Sequence, residues 1–248
     1  MASKTSSGFS ETIKTLVYAV IIALLIRTFF YEPFSIPSAS MVPTLLVGDY
    51  LFVSKFSYGY SRYSLPLGLP LIPGPGRIFS RPPQRGDVAV FKLPRDPSID
   101  YIKRVIGLPG DRIQMTNNVL TINGEPVKLQ RDGSYFDNEG GGMRTFTQWI
   151  ETLPNGKQHH IIELGTDLPL DNTGVFTVPP GHYFMMGDNR DNSADSRDPS
   201  SGVGYVPAEN LVGRAEFIFF STDGYAHWWE VWKWPFTVRY NRLFTAIR

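Results

Sequence analysis

A single long apolar run near the N-terminus constrains the fold of this 248-residue chain more than any other feature. The stretch TLVYAVIIALLI, residues 15–26, carries no charge, and after Arg27 and Thr28 the run resumes as Phe-Phe-Tyr. Counted over residues 15–31, a helix of this length extends about 26 Å, just enough to cross the hydrocarbon core of a bilayer. The run therefore predicts a transmembrane helix, with Arg27 reaching the headgroup layer.

Two alternatives to an uncleaved anchor arise from the same run. A cleaved secretory signal peptide has a basic start and an apolar centre, and Ser38-Ala39-Ser40 has the small-x-small pattern of its cut site. That site should follow the apolar centre closely, yet residues 27–37, which include charges and two prolines, intervene. A buried core helix could contain the apolar centre but leaves its aromatic and arginine flanks unexplained. The lysines before the run favour a cytoplasmic N-terminus and a main domain outside.

The rest of the chain is predicted to be mainly β. Its 20 prolines and 23 glycines are spread along the sequence, which indicates many turns between short strands. Apolar, β-branched and aromatic residues predict strands in GDYLFVSKF (48–56), GDVAVFKL (86–93) and DYIKRVIG (100–107), and later in GHYFMMGDN and GRAEFIFF. Asn123-Gly124 and Asn155-Gly156 supply the residues that two-residue hairpin turns require.

These patterns predict an antiparallel β domain behind the N-terminal helix, with a smaller β subdomain inserted into it. Six prolines between residues 65 and 83 exclude a helix or a central strand there. The tail HWWEVWKWPFTVRYNRLFTAIR interleaves four tryptophans with basic residues, which suits either a membrane interface or an aromatic cluster that closes the domain. The predicted divisions are a cytoplasmic N-terminus at 1–14, an anchor at 15–31, a catalytic β core at 32–111 and 181–226, inserted hairpins at 112–180, and the tail at 227–248.

Composition excludes several kinds of function. The net charge is +1 and the basic residues are scattered, so a nucleic-acid partner has no support. The chain has no cysteine, which rules out disulfides, thiolate metal ligands and a cysteine nucleophile. Its four histidines lack zinc-site spacing, and the acidic run GDNRDNSADSRD (187–198) lacks the glycine and the glutamate that a calcium loop needs. We therefore predict no metal and no cofactor.

A hydroxyl nucleophile remains, for which Ser40 and Lys103 are the candidate pair. A serine needs a neighbour to accept its proton, and a lysine can do so when its amine is neutral. Lys103 is flanked by Tyr101, Ile102 and Val105, an apolar setting that would lower its pKa. From the residues alone, a solvent-facing lysine on a strand and a serine that satisfies backbone groups in a turn are the simpler interpretations.

Three sequence blocks favour the catalytic interpretation of Ser40 and Lys103 over the simpler ones. They are IPSASMVPTLLVGD, then RGDVAVFKLP followed by DYIKRVIGLPGD, and then MMGDNRDNSADSR followed by VGRA. Together they resemble the bacterial type I signal peptidases, the membrane-anchored serine proteases that remove signal peptides from exported proteins. The resemblance covers about half of the chain and implies the signal-peptidase fold, a mainly β catalytic domain behind a transmembrane helix.

The resemblance also implies roles for individual residues. Ser40 matches the nucleophile, and Lys103 matches the general base that takes its proton and later returns one to the leaving amine. Ser38 matches the residue whose hydroxyl joins the backbone N–H of Ser40 in an oxyanion hole. Ser193 matches the serine that orients the lysine. The charged positions that brace the catalytic loop are Arg104, Asp195 and Arg197.

Finally, the resemblance implies a substrate and a location. Shallow apolar pockets would accept signal peptides with small residues at the −1 and −3 positions, and the substrate would pair with the edge of the cleft. We expect a monomer in the cytoplasmic (inner) membrane, with one span, contact with the lipid bilayer and the catalytic domain on the outer face. The single span, the lack of a cysteine pair and the compact insertion depart from the best-known Gram-negative pattern. The positions that match the cleft are Phe34, Ile36, Pro37, Met41, Leu45, Tyr101 and Ile102.

Overall fold

The computed structural model describes residues 5–64, 76–137, 143–224, 230 and 232–248. Most of the proline-rich segment, residues 65–75, lies outside these ranges, as do residues 227–229 and 231 of the tryptophan-rich tail. The predictions made for those residues therefore stay predictions.

The apolar run forms helix α1, Thr5–Phe29. It is the one helix among the described residues that is long and apolar enough to cross a membrane, over Gly8–Phe29, and none of that window is buried in the protein. The helix begins before the predicted anchor because the polar residues ahead of the run are also helical. It ends at Phe29 rather than at residue 31 because Tyr31 already pairs with Ser54 in a sheet.

The remaining structure is built mainly from strands. In chain order, they are β1 Tyr31–Ser35, β2 Asp49–Ser54, β3 Val88–Leu93, β4 Asp96–Gly107, β5 Arg112–Thr116, β6 Val119–Ile122, β7 Glu125–Pro126, β8 Lys128–Asp137, β9 Arg144–Thr152, β10 Gln158–Glu163, β11 Phe176–Thr177, β12 His182–Met186, β13 Val206–Pro207, β14 Leu211–Ser221 and β15 Thr245–Ala246. A short helix, α2, spans Trp234–Thr237 in the tail. The predicted fold class, mainly antiparallel β behind an N-terminal apolar helix, is confirmed.

The main sheet has eight strands in the order β1-β2-β14-β3-β4-β12-β13, with β15 paired to β14. Its ladders are antiparallel throughout. Alternate residues of β3 point to opposite faces, so Val88 and Val90 join one apolar cluster while Ala89 and Phe91 join another. Apolar side chains therefore pack on both faces of this sheet.

Two smaller sheets follow β4 in the chain, one with the order β11-β5-β6-β7 and one with the order β10-β9-β8. Asn123 and Gly124 have φ values of 56° and 88° in the turn between β6 and β7. Both values suit a tight hairpin turn, which explains the Asn-Gly pair. The turn between β9 and β10 is closed by a hydrogen bond from the Leu153 N–H to the Lys157 carbonyl, at 2.9 Å.

Candidate active site

Ser40 lies in a short 3-10 helix, Ala39–Met41, directly after the extended residue Ser38. Met41, which follows Ser40, is fully buried in the apolar cluster of the main sheet. The Leu45 N–H donates to the Met41 carbonyl at 2.9 Å, which closes the next turn. This packing holds the backbone at Ser40 in one place while its side chain faces a cleft.

Lys103 approaches Ser40 from the middle of β4, where its backbone pairs with Ala89 of β3. The Lys103 Nζ lies 2.6 Å from the Ser40 Oγ, and both side chains are buried. Burial lowers the pKa of Lys103 to about 8, although the carboxylates of Asp195 and Asp188 raise it. The structure therefore brings together a serine hydroxyl and a lysine whose neutral form is accessible near neutral pH.

Ser38 also lies at this position. Its Oγ is 3.4 Å from the Ser40 Oγ, and both residues line the same cleft. The backbone of Ser40 is held from behind by Asn189, whose N–H donates to the Ser40 carbonyl at 3.2 Å. The Asn189 side chain also donates to the Ala39 carbonyl at 3.1 Å. The sequence analysis did not assign a role to Asn189, because that role depends on contacts with a segment about 150 residues away in the chain.

Ser193 lies next to Gly187 at the back of the site. A Cβ at Gly187 would meet the Ser193 Oγ at 2.2 Å and the Ser40 carbonyl oxygen at 2.5 Å, so only glycine fits there. The Ser193 Oγ is buried and makes no hydrogen bond to any described residue. The structure thus places Ser193 near the nucleophile without the predicted hydrogen bond to Lys103, so its orienting role stays a prediction.

Two buried ion pairs flank the site. Arg104, next to Lys103 in β4, contacts Asp188 through Nε and Nη2 at 2.8 and 2.6 Å. Arg197 contacts Asp195 through the same two atoms at 2.9 and 2.8 Å. Both pairs are bidentate: Arg104–Asp188 links β4 to the loop that carries Ser193, and Arg197–Asp195 braces that loop internally. Sequence reasoning grouped the two arginines with Asp195 and missed Asp188 as the partner of Arg104.

Backbone hydrogen bonds and an ion pair join the loop that carries Ser193 to the β8–β10 sheet. Ile162 of β10 donates its N–H to the Asp188 carbonyl at 3.0 Å, and the Arg190 N–H donates to the Ile162 carbonyl at 3.0 Å. The Arg190 Nη2 donates to the Glu151 Oε2 at 2.7 Å, and His159 Nε2 lies 3.3 Å from the same oxygen. Burial lowers the pKa of His159, which keeps the imidazole neutral at neutral pH. Sequence reasoning missed all of these residues.

The cleft in front of Ser40 and Lys103 has a volume of about 650 Å³ and lies between β1 and the first half of β4. In the described sheet, β1 pairs only with β2, and β12 pairs with β4 only from Arg104 onward. Both β1 and β4 therefore have a free edge beside the cleft.

The predicted cleft residues are only partly confirmed as lining the cleft. Met41 and Leu45 do not line it, because both are fully buried in the core. Asn192 and Ala194 line it without having been predicted. The predicted cleft residues that do line it are Phe34, Ile36, Pro37, Tyr101 and Ile102.

Among the described residues, no three His, Asp or Glu side chains form a group that could hold a metal ion. The site itself offers a serine hydroxyl, a lysine amine of lowered pKa and backbone N–H groups beside an apolar cleft.

Comparison with known proteins identifies the family. Residues 9–220 match the family model of signal peptidases, peptidase S26. Signal peptidase I of Rickettsia typhi is 40% identical over 99% of this chain and 96% of its own, and that of Rickettsia massiliae is 42% identical over 98% and 96%. A solved signal peptidase I from Enterococcus faecalis is 25% identical and covers 54% of this chain and 97% of its own, with a TM-score of 0.32. The chain therefore belongs to the signal peptidase family, peptidase S26, and is a membrane-associated serine peptidase that acts on signal peptides.

Proposed function

We propose that this protein cleaves signal peptides through a dyad of Ser40 and Lys103 and an acyl-enzyme. The observation that carries the proposal is the 2.6 Å distance between the Lys103 Nζ and the Ser40 Oγ, in a buried setting that lowers the pKa of Lys103 to about 8. A neutral amine at this distance can accept the hydroxyl proton, which a fully charged ammonium cannot do.

In the first half of the reaction, Lys103 takes the proton of Ser40 as its Oγ attacks the carbonyl carbon of the scissile bond. The oxyanion that forms is held by the Ser40 N–H and the Ser38 hydroxyl, which lies beside the nucleophile in the cleft. When the C–N bond breaks, Lys103 returns the proton to the leaving amine. The signal peptide remains joined to Ser40 as an ester.

In the second half, Lys103 takes a proton from a water molecule, whose oxygen attacks the ester. The C–O bond to Ser40 breaks, and the serine recovers its proton through Lys103. Ser193, whose buried Oγ has no hydrogen bond to any described residue, orients the lysine by turning its hydroxyl toward the amine during the reaction. The buried pairs Arg104–Asp188 and Arg197–Asp195 hold the surrounding loop. No metal or cofactor is needed for any step.

Substrate is bound as an extended strand between β1 and β4, whose free edges supply backbone hydrogen bonds. The apolar residues beside Ser40 select small residues at the −1 and −3 positions by steric exclusion. Met41 and Leu45 act from the core, where they fix the position of Ser40.

We place the protein in the inner membrane as a single-span monomer with the catalytic domain on the outer face. The domain comprises a core at 32–111 and 181–226 and an insertion at 112–180, which corresponds to the strands of the two smaller sheets. Exposed aromatic residues support contact with lipid at the membrane surface. They include Phe30, Phe79, Trp232, Phe236 and Phe244.

The test uses purified full-length protein and a preprotein with an Ala-x-Ala cut site. Wild type should release the signal peptide, whereas Ser40→Ala and Lys103→Ala should each lose activity by about 10³-fold or more while keeping the same far-UV circular dichroism. Tyr18→Phe, in α1 and away from the cleft, is the control. Turnover retained in either active-site variant removes that residue from its role, and cleavage of the protein's own chain alone would indicate a self-processing enzyme instead.

A further inference from the structure

The anchor helix and the wall of the cleft are consecutive elements of the chain. α1 ends at Phe29 and β1 begins at Tyr31, so only Phe30 separates them. Residues of β1, among them Pro33 and Phe34, line the cleft directly. A change in the tilt of the helix relative to the domain is therefore transmitted to the substrate-binding wall unless the junction resists it.

A chain of ionic contacts holds this junction. Arg27, in the last turn of α1, contacts the Glu32 Oε1 through Nε and Nη2 at 3.0 and 2.8 Å. The other oxygen of Glu32, Oε2, lies 2.8 Å from the Nζ of Lys55, a residue that is only 2% exposed. Lys55 also donates from Nζ to the Ser64 carbonyl at 2.7 Å, and from its backbone N–H to the Phe30 carbonyl at 2.9 Å. Glu32 thus uses one oxygen for the helix and the other for the interior of the domain.

Tyr60 makes a second connection. Its hydroxyl donates to the Phe29 carbonyl at 2.7 Å, one of the helix-terminal carbonyls that lack a partner within the helix. Its ring packs edge-on against Phe29, with centroids 5.9 Å apart.

Glu32 is charged at neutral pH. Burial raises its pKa, but the effect of Lys55 and Arg27 is larger than that of burial and lowers the pKa below its ordinary value. The carboxylate is therefore charged at neutral pH and keeps both contacts.

We infer that Glu32 is a positioning residue that fixes the height and tilt of the cleft above the membrane, so that the enzyme favours substrates held in the same bilayer over free peptides. The inference rests on the proposed function, because it takes α1 as a membrane span and the cleft as the signal-peptide site. An anchored precursor presents its cut site at one height, and only enzyme conformations with the cleft at that height can bind it. A free peptide reaches the cleft from any direction and is indifferent to the tilt.

The test measures kcat/KM of the full-length enzyme, reconstituted in lipid vesicles, on two substrates. One is a precursor whose apolar segment is inserted in the same vesicles, and the other is a soluble peptide that contains only the residues around the cut. For Glu32→Gln, kcat/KM on the anchored precursor should fall about tenfold while that on the soluble peptide stays unchanged. Glu11→Gln is the matched control, because it removes an ion pair with Lys14 that lies within α1 and does not reach the domain.

A second measurement reports the junction itself. The chain has no cysteine, so a pair of spin labels can be attached at Ser10→Cys in α1 and Lys128→Cys in β8 without first removing native cysteines. The distribution of distances between the labels should broaden in Glu32→Gln and in Tyr60→Phe, which removes only the hydroxyl, and should stay as in wild type in Glu11→Gln.

The outcomes separate the inference from the proposed function. The inference alone is overturned if Glu32→Gln changes kcat/KM on the two substrates by the same factor or leaves both values unchanged. It is also overturned if the distribution of label distances stays as in wild type. If wild type cleaves neither substrate, the proposed function fails and the inference fails with it.

Discussion

Burial and nearby carboxylates have opposite effects on the pKa of Lys103. Removing the amine from water disfavours the ammonium form and lowers the pKa, whereas the Asp195 and Asp188 carboxylates favour that form and raise it. The balance is a pKa of about 8, compared with 10.5 for an ordinary lysine. At pH 7 roughly a tenth of the enzyme then carries the neutral amine, which is enough for a base.

The pH dependence of kcat/KM follows from this balance. Because activity requires uncharged Lys103, the rate on a soluble peptide should rise about tenfold per pH unit below the pKa and level off above about pH 8. The measurement is a series of initial rates from about pH 6 to pH 10, with Ser40→Ala as the blank at each pH. A profile that is still rising steeply at pH 10 would indicate an unperturbed lysine, and one that peaks in acid would exclude lysine as the base.

At the scale of elements, the β8–β10 sheet acts as a support for the catalytic loop. Strand β10 continues its hydrogen bonding onto the backbone of the loop through Ile162, and Glu151 of β9 pairs with Arg190. The residue before Arg190 in the loop, Asn189, contacts the carbonyls of Ala39 and Ser40. The insertion therefore reaches the nucleophile through one continuous set of contacts, although none of its described residues, 112–137 and 143–180, lines the cleft.

Glu151→Ala tests this support. Arg190 is 1% exposed, so loss of its partner leaves a buried charge without compensation, and the free energy of unfolding should fall by about 3–5 kcal/mol. Urea denaturation of the detergent-solubilised protein measures the change. Adding Arg190→Met to Glu151→Ala should recover part of it, because the unpaired charge is then absent. Arg62→Ala, which breaks an exposed pair with Glu209, should cost no more than about 1 kcal/mol. Equal losses for Glu151→Ala and Arg62→Ala would refute the supporting role.

These contacts also show what sequence reasoning could and could not predict. The strands β2, β3, β4, β12 and β14 lie within or overlap the predicted stretches, because alternation and turn residues are local signals. The pairing of Asp188 with Arg104, and of Glu151 with Arg190, joins segments that are distant in the chain, and no local pattern marks either carboxylate. For the same reason, the motif around Ser40 did not reveal that Met41 and Leu45 belong to the core and not to the cleft surface.

At the scale of the whole molecule, the tail returns to the nucleophile segment. The Arg239 Nη1 donates to the Val47 carbonyl at 2.8 Å, and Arg242 contacts both oxygens of the buried Asp49 at 3.0 and 2.6 Å. Beyond them, β15 pairs with β14, and the Arg248 carbonyl accepts a hydrogen bond from Arg104 at 3.1 Å. Two of the tail's basic residues thus bind the domain, while its aromatic residues Phe236 and Phe244 stay exposed.

Arg242→Ala tests whether this closure stabilises the segment that carries Ser40. Besides Asp49, Arg242 donates to the Thr44 carbonyl at 2.9 Å, so the variant removes three hydrogen bonds next to the nucleophile segment. Asp49 is fully buried, and a loss of about 3 kcal/mol should lower the melting temperature by roughly 10 °C. Thermal unfolding in detergent, followed by circular dichroism, gives the shift. Arg95→Ala is the matched control, because Arg95 also donates to two backbone carbonyls but on the exposed surface. If both variants melt at the same temperature, the tail does not stabilise the active-site segment.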